Sequence, residues 1–188
     1  MKRPASGIEQ RKKTAADLAL SDNSVKRYRD PSFNAIAVNL LPGEHYATQN
    51  AEEMIVTVLA SCVSVCIRDP KVGVGGMNHF ASGDWGQETA SLRYGNFAME
   101  RLIKDIVKLG GRRSHLEIKV CGGGDVFRNG AKIGRKNSEF IESYLKAEGS
   151  PIAAKHLYGD HPRRVHYFPA AAGSLCLNCA GKTISTAC

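Results

Sequence analysis

The sequence lacks a hydrophobic run that could cross a membrane. No apolar segment approaches the about 18 residues that a transmembrane helix requires. The N-terminus, M-K-R-P-A-S-G-I-E-Q-R-K-K, carries positive charges but no apolar segment follows them, so it does not have the pattern of a secretory signal peptide. These two absences predict a cytoplasmic protein that is not an integral membrane protein.

A dense basic stripe interleaved with aromatic residues is also missing, although the net charge is +8. Residues 1–30 carry 8 Lys and Arg against 4 Asp and Glu, so half of the excess charge lies in this short segment. Nucleic-acid binding domains gather their basic residues on one face, and we therefore expect no nucleic-acid partner. Residues 1–33 are poor in large apolar side chains and are expected to form a basic, disordered N-terminal segment.

The six cysteines do not indicate a disulfide framework, because a cytoplasmic location keeps thiols reduced. Cys176 and Cys179 form a C-x-x-C pattern near the terminal Cys188. A zinc site needs about four ligands, and the nearest histidine, His166, stands alone upstream. We expect no metal and no cofactor; a metal-binding or redox protein built on these three cysteines stays open as an alternative.

The chain is long enough for one domain with a hydrophobic core, and its strand patterns outnumber its helical ones. Residues 34–178 are expected to form this domain, 179–188 a C-terminal tail, and P-G-E-H-Y-A-T-Q-N a loop. Because hairpin-like pairs alternate with helical crossovers, we predict an α+β fold, a single domain with a mixed β-sheet core flanked by helices. The predicted strands are N-A-I-A-V-N-L-L, M-I-V-T-V-L-A, C-V-S-V-C-I, V-G-V-G-G-M-N-H-F, L-E-I-K-V-C, I-A-A-K-H-L, R-V-H-Y-F and S-L-C-L.

Two segments have the pattern of helices. In Y-G-N-F-A-M-E-R-L-I-K-D-I-V-K-L-G-G, apolar residues recur at helical spacing and Gly110 is placed to cap the C-terminus. A second helix is predicted from about Ser138 to Glu148, with Asn137 or Ser138 as its N-cap and Gly149 closing it. The apolar stripe predicted for the first helix comprises Phe97, Met99, Leu102, Ile103, Ile106 and Val107.

One cysteine and one histidine are candidates for nucleophilic catalysis. The small residues Ala60 and Ser61 interrupt two apolar runs, so a turn there would present Cys62 at the mouth of a strand. A thiol near pKa 8.5 needs a base or a positive field to react at neutral pH. His79 ends the next predicted strand, and an antiparallel hairpin would bring it back to Cys62. Cys66, within an unbroken apolar run, is predicted to be a core residue.

Two further features bear on this chemistry. The backbone N–H groups of Ser61 and Cys62 could face a developing oxyanion at the turn. Thr57 precedes the turn and could orient the imidazole, although threonine is also an ordinary strand residue. The glycines 122–124 lack the spacing and the lysine of a phosphate-binding loop, so close backbone packing beside a cleft is the favoured interpretation.

Several separate motifs, in order and at compatible spacing, resemble the CheD chemoreceptor glutamine deamidases. The resemblance covers residues 34–178, nearly the whole predicted domain. The motifs are T-V-L-A-S-C-V-S-V-C-I-R-D-P, G-G-M-N-H-F, R-Y-G-N-F-A-M-E-R-L-I, K-V-C-G-G-G, I-G-R-K-N-S-E-F and G-D-H-P-R-R-V-H-Y-F-P.

The resemblance implies a bacterial cytoplasmic enzyme that converts glutamine side chains of methyl-accepting chemotaxis receptors to glutamate. It implies a core similar to that of the cytotoxic necrotizing factor-type cysteine hydrolases and, in organisms that have the phosphatase CheC, CheC as a partner. The family cysteine corresponds to Cys62, the histidine to His79 and the threonine to Thr57. Ala60 replaces the usual glycine before Ser-Cys, and the spacing between threonine and cysteine varies by one residue among relatives.

Two other functions remain open from the residues alone. A CheD-like module could bind receptors or CheC without catalysis, although the intact Cys62, His79 and Thr57 speak against this. Another cysteine amidase or a transglutaminase would use the same chemistry on a different protein, so only the substrate would distinguish it.

Overall fold

The computed structural model describes residues 25–80, 88–126, 132–171, 175–179 and 182–186. Over these ranges the chain forms eleven β-strands and two α-helices. The helices are α1 (Glu88–Lys108) and α2 (Ile133–Ala147), and a 3₁₀ turn at Arg113–His115 precedes β7. The strands are β1 (Lys26–Asp30), β2 (Ala35–Asn39), β3 (His45–Thr48), β4 (Glu53–Leu59), β5 (Val63–Asp69), β6 (Val74–Asn78), β7 (Glu117–Gly122), β8 (Ile152–Leu157), β9 (Arg163–Tyr167), β10 (Leu175–Cys179) and β11 (Lys182–Thr186).

The strands divide into two mixed sheets, which we call the first and the second sheet. The first sheet has the order β1-β2-β4-β9-β10-β11, with β2 and β4 parallel and its other neighbours antiparallel. The second sheet has the order β3-β6-β5-β7-β8, with β7 and β8 parallel and its other neighbours antiparallel. The predicted α+β class is confirmed, with the mixed strands distributed over two sheets.

The two sheets share a layer of buried side chains, which we call the inter-sheet core. Side chains alternate between the faces of a strand, so each sheet directs every second residue into this layer. From the first sheet it contains Val38, Ile55, Leu59, Val165, Tyr167 and Leu177, and from the second Cys66, Met77 and Cys121.

Both helices contribute to a second core on the other face of the second sheet. Leu102 and Ile106 of α1 and Ile141 and Leu145 of α2 are buried there against strand residues such as Val65. Burying side chains of this size stabilises the fold by about 1.5–3 kcal/mol each. The second sheet is therefore covered on both faces, and a group between the sheets is shielded from solvent.

The helix predicted around residues 94–111 is present as α1, but it begins earlier, at Glu88, and its buried stripe is narrower than expected. Met99, Leu102, Ile103 and Ile106 are buried, whereas Phe97 and Val107 are exposed. With about 100° between successive residues, Phe97 projects from the face opposite the buried stripe. Gly110 caps the helix as predicted, with φ +100° and its N–H bonded to the Val107 carbonyl.

The second helix begins earlier than predicted. It starts at Ile133, so Asn137 and Ser138 are buried interior residues and the prediction that one of them is the N-cap is wrong. The buried positions repeat at helical spacing from Gly134 onward, but Gly134 and two polar residues hide this period in the sequence. Gly149 closes the helix as predicted, with φ +63°.

Paired strands extend beyond the predicted domain boundaries at both ends. β1 lies in the segment 1–33, which the sequence predicts to be disordered, and pairs with β2 of the domain. β11 lies in the tail 179–188 and pairs with β10. β3 occupies a segment that the sequence predicts as a loop. The disorder predicted for residues 1–24 lies outside the residues described. Among those that are described, no helix has the length and apolarity needed to cross a membrane.

Candidate active site

The turn at Ala60–Cys62 carries the chain from the first sheet to the second. β4 ends at Leu59 in the first sheet, and β5 begins at Val63 in the second. The turn that the sequence predicts at Ala60 and Ser61 is present, and it joins two different sheets. Cys62 therefore lies at the mouth of β5, half-buried at the edge of the inter-sheet core.

Three successive carbonyl groups of this turn accept hydrogen bonds from one side. Gly124 N–H donates to the Ala60 carbonyl at 2.9 Å, and Gly123 N–H donates to the Cys62 carbonyl at 2.7 Å. The side-chain amide of Asn137 donates to the Ser61 carbonyl at 2.7 Å. The turn is thus fixed by the segment after β7 and by α2.

The glycines 122–124 pack as closely as the sequence predicts. A Cβ atom on Gly123 would lie 1.9 Å from Ser138 Oγ, and one on Gly124 would lie 2.7 Å from the His161 carbonyl oxygen. Their N–H groups are occupied by the carbonyls of the turn, so they hold the Cys62 loop rather than a phosphate. The predicted role in close backbone packing is confirmed.

His79 follows β6, and its backbone is held by two neighbouring segments. Its N–H donates to the Glu44 carbonyl at 2.9 Å, and its carbonyl accepts from Gly43 N–H at 2.7 Å. The next residue, Phe80, forms two backbone hydrogen bonds with Val63, at 2.9 and 3.0 Å. The imidazole therefore projects from a rigid backbone, with only 3% of the residue exposed.

Thr57 and His79 are in hydrogen-bonding contact across the two sheets. Thr57 Oγ1 donates to the Leu40 carbonyl at 2.9 Å and lies 2.7 Å from His79 Nδ1. A hydroxyl has one proton. When Thr57 donates that proton to the Leu40 carbonyl, the threonine oxygen accepts from Nδ1–H of His79. His79 Nε2 is then the unprotonated nitrogen, which is the form that a general base needs.

Cys62 and His79 lie on the same side of the second sheet. β5 and β6 are antiparallel, as predicted. The pairing of Val63 with Phe80 continues their register, so His79 lies opposite Ser64, and Cys62 lies diagonal to it on the same face, toward the first sheet. His79 Nε2 is buried and makes no hydrogen bond to any described residue, Cys62 included. Catalytic hydrogen bonds are often long before substrate binds. The lack of a hydrogen bond between Cys62 and His79 is therefore compatible with a thiol nucleophile and an imidazole base.

Burial keeps both groups neutral at rest. Desolvation lowers the pKa of His79, against smaller opposing effects of the Leu40 carbonyl and Glu44. Desolvation also raises the pKa of the Cys62 thiol, although its own backbone N–H opposes this. A thiol that does not ionise by itself needs a neutral base to react, and the neutral imidazole of His79 lies on the same face of the sheet.

Cys66 occupies the interior, as the sequence predicts. It is fully buried in the inter-sheet core beside Cys121. Burial and a hydrogen bond with the Cys121 thiol raise the pKa of Cys66 well above its usual value. An inaccessible neutral thiol is a poor nucleophile.

Sequence reasoning did not identify Asn137 or the Leu40 carbonyl as parts of this site. Asn137 could have been found by extending the helical period of Ile141 and Leu145 back by one turn, which puts a polar residue on the buried face. The Leu40 carbonyl carries no sequence signal, because any residue provides one. Its role depends on the parallel pairing of β2 with β4.

The cysteine-bearing tail lies apart from this site, and so does one surface cavity. Cys176 contacts Ser185 across the β10–β11 hairpin, and Cys188 lies outside the described residues. Within the described ranges, no group of three or more His, Cys, Asp and Glu side chains could hold a metal ion. A cavity of about 420 Å³ beyond the glycine segment is lined by Asp125, Arg135, Glu139, Tyr158 and Gly159.

The chain is similar in sequence to one family model and to several named proteins. A family model described as CheD chemotactic sensory transduction matches residues 80–177. The chain is 58% identical over 163 residues to the probable chemoreceptor glutamine deamidase CheD of Rhodopseudomonas palustris, covering 84% of this chain and 76% of the relative. It is 46% identical over 165 residues to the protein of the same name from Halorhodospira halophila, covering 83% and 76%. A crystal structure of a Neisseria meningitidis DUF152 protein aligns with a TM-score of 0.38 and 12% identity, covering 62% of this chain and 52% of that one.

Proposed function

Because the chain belongs to the CheD family, we propose that it is a chemoreceptor glutamine deamidase that acts through a cysteine thioester. The observation that carries the chemistry is the state of His79. Its Nδ1 is held by Thr57 at 2.7 Å, while Nε2 is buried without a partner among the described residues. This is a base set in one tautomer, beside a thiol that burial keeps protonated. The names of the relatives supply the substrate class.

The reaction begins with proton transfer between the two neutral groups. His79 Nε2 takes the thiol proton as Cys62 Sγ attacks the carboxamide carbon of the substrate glutamine. The carbonyl oxygen becomes an oxyanion, which the backbone N–H groups of Ser61 and Cys62 stabilise. Thr57 keeps the proton on Nδ1 and stabilises the imidazolium that forms.

The second half of the reaction restores the enzyme. The imidazolium donates its Nε2 proton to the departing nitrogen, the C–N bond breaks, and ammonia leaves a thioester on Cys62. Water then attacks the thioester carbon while His79 accepts one of its protons. The C–S bond breaks, the thiolate recovers that proton, and the product is a glutamate side chain. These groups lie within residues 34–178, which we propose as the deamidase domain.

The substrate is the cytoplasmic part of a methyl-accepting chemotaxis receptor, and the enzyme is cytoplasmic. Deamidation replaces a neutral side chain with a carboxylate, which adds a negative charge to a packed receptor helix and alters its electrostatics. The phosphatase CheC is the proposed regulatory partner. These assignments come from the family resemblance.

The test is ammonia release from purified cytoplasmic domains of chemoreceptors from the same organism. Peptide mass mapping would locate the new glutamate residues, and a His79→Ala variant would control for contaminating amidases. We expect the wild type to release ammonia and His79→Ala to release almost none. Receptor binding without ammonia release would support the non-catalytic module instead, and ammonia release from other proteins alone would indicate a different amidase.

A further inference from the structure

Asn137 is an unusual residue to find in the core of this protein. It lies in α2 with no exposed surface, on the buried helical face that also carries Ile141 and Leu145. Its side-chain amide crosses to the turn before β5 and donates to the Ser61 carbonyl at 2.7 Å. A buried polar side chain costs free energy unless it is hydrogen-bonded, so this hydrogen bond stabilises both the amide and the turn.

This hydrogen bond determines the direction of a neighbouring N–H group. The Ser61 carbonyl and the Cys62 N–H belong to one peptide unit, and no cis peptide bond occurs among the described residues. In a trans peptide the C=O and N–H bonds point in opposite directions. Holding the Ser61 carbonyl toward α2 therefore turns the Cys62 N–H away from α2.

The adjacent peptide units are held by backbone groups. The Ala60 carbonyl accepts from Gly124 N–H, which fixes the direction of the Ser61 N–H in the same way. Neither Ser61 N–H nor Cys62 N–H donates to a backbone carbonyl in the part of the chain described. Of the three carbonyl contacts, the one from Asn137 comes from a side chain and can be removed by a substitution.

We propose that Asn137 is the positioning residue of the oxyanion hole, acting through the Ser61 carbonyl to aim the Cys62 N–H at the substrate oxygen. This inference rests on the proposed deamidase function. Asn137 itself does not touch the substrate. Its effect belongs to the transition state, where the oxyanion is present, rather than to substrate binding.

A second consequence concerns the Cys62 thiol in the absence of substrate. The Cys62 N–H stabilises the thiolate of its own side chain, which partly offsets the effect of burial on the thiol pKa. If Asn137 no longer held the peptide unit, this N–H would be free to turn away. The thiol pKa would then rise, and alkylation of Cys62 would require a higher pH.

The variants Asn137→Asp and Asn137→Ala test the proposal. Asn137→Asp keeps the size of the side chain but presents a carboxylate oxygen to the Ser61 carbonyl, where the amide presented N–H. Loss of one oxyanion donor lowers kcat by about 100–1,000-fold in a known hydrolase. We expect a smaller fall of about 10–100-fold from a misdirected donor, with KM almost unchanged. Assays run below the lowest melting temperature keep every variant folded.

Ser138→Ala is the matched control. Ser138 is the next residue of α2, equally buried, and its hydroxyl makes no hydrogen bond to a described residue. Its removal perturbs the same helix without touching the Ser61 carbonyl, so kcat should stay close to that of the wild type. An Asn137→Asp variant with wild-type kcat would overturn the proposal, as would a rise in KM alone or an equal loss in Ser138→Ala.

Alkylation separates this proposal from the proposed function. The rate of iodoacetamide labelling at Cys62 is measured against pH by peptide mass, without any substrate. We expect the pH profile of labelling to shift to higher pH in Asn137→Asp and to stay unchanged in Ser138→Ala. Should wild-type protein release no ammonia from receptors, this shift would still support the positioning role, and identical profiles would refute it.

Discussion

Thr57 Oγ1 and His79 Nδ1 lie 2.7 Å apart and connect the first sheet to the second at the candidate site. The threonine oxygen can accept a hydrogen bond from the imidazole because its own hydroxyl proton is donated to the Leu40 carbonyl. The tautomer of the proposed base is therefore set by the packing of one sheet on the other.

Replacing Thr57 with valine should impair catalysis more than replacing it with serine. Valine has the same shape but no hydroxyl, so Nδ1 loses the threonine oxygen and the Leu40 carbonyl loses the hydroxyl donor. We expect kcat/KM for ammonia release to fall by about 10–100-fold, because general-base catalysis contributes about 100–10,000-fold in total. Serine keeps the hydroxyl and should retain most of the activity.

Thermal unfolding of the same variants separates catalysis from folding. Leaving a buried polar group unsatisfied costs about 1–3 kcal/mol, so Thr57→Val should also have a lower melting temperature. Equal activity in the valine and serine variants, assayed where both are folded, would show that Thr57 does not orient His79.

The pH dependence of kcat/KM should reflect the burial of His79. Desolvation disfavours the imidazolium and lowers the pKa of His79 below its usual value of about 6.5. Neutral imidazole is the active form, so activity should decline only as the pH falls below about 6.5. An acid limb centred above that value, with circular dichroism showing folded protein, would contradict this assignment of the base.

Two glycines offer a matched test of close packing around Cys62. Gly123 and Gly149 have nearly equal φ angles of +65° and +63°, but a Cβ would lie 1.9 Å from Ser138 Oγ at Gly123 and in open space at Gly149. Alanine at either position incurs a backbone penalty of about 1–2 kcal/mol. Gly123→Ala should lose more unfolding free energy than Gly149→Ala, because it adds the steric clash.

Activity should follow the same order. Gly123 N–H holds the Cys62 carbonyl, so its displacement should also lower kcat, whereas Gly149→Ala should keep wild-type kcat. Denaturant unfolding and ammonia release measure the two effects. Equal losses in both variants would mean that the φ angle, rather than the contact with α2, determines the role of Gly123.

The sequence predicts the interior strands well and the edge strands poorly. β5 and β7 are apolar runs flanked by turns, because each is covered on both faces. β1 and β11 are edge strands with mostly exposed side chains, so K-R-Y-R-D and K-T-I-S-T have little apolar pattern. β3 was missed because H-Y-A-T follows a Pro-Gly turn and is only four residues long.

Some features of the candidate site follow from short-range sequence patterns, and others depend on tertiary packing. Cys62 and His79 could be predicted because a turn and a hairpin are short-range features. The contact of Thr57 with His79 depends on the packing of two sheets, and the sequence indicates it only through the family resemblance. Asn137 and Ser61, which share a hydrogen bond, lie 76 positions apart in the chain, and the sequence around Ser61 does not predict this contact.

The assignment of Cys62 as the nucleophile is tested most directly by comparing Cys62→Ala with Cys66→Ala in ammonia release from a receptor cytoplasmic domain. The two substitutions remove the same atom at positions four apart, one at the mouth of β5 and one buried in the inter-sheet core. We expect Cys62→Ala to abolish ammonia release and Cys66→Ala to retain it when assayed below its lowered melting temperature. Ammonia release that survives Cys62→Ala would show that Cys62 is not the nucleophile.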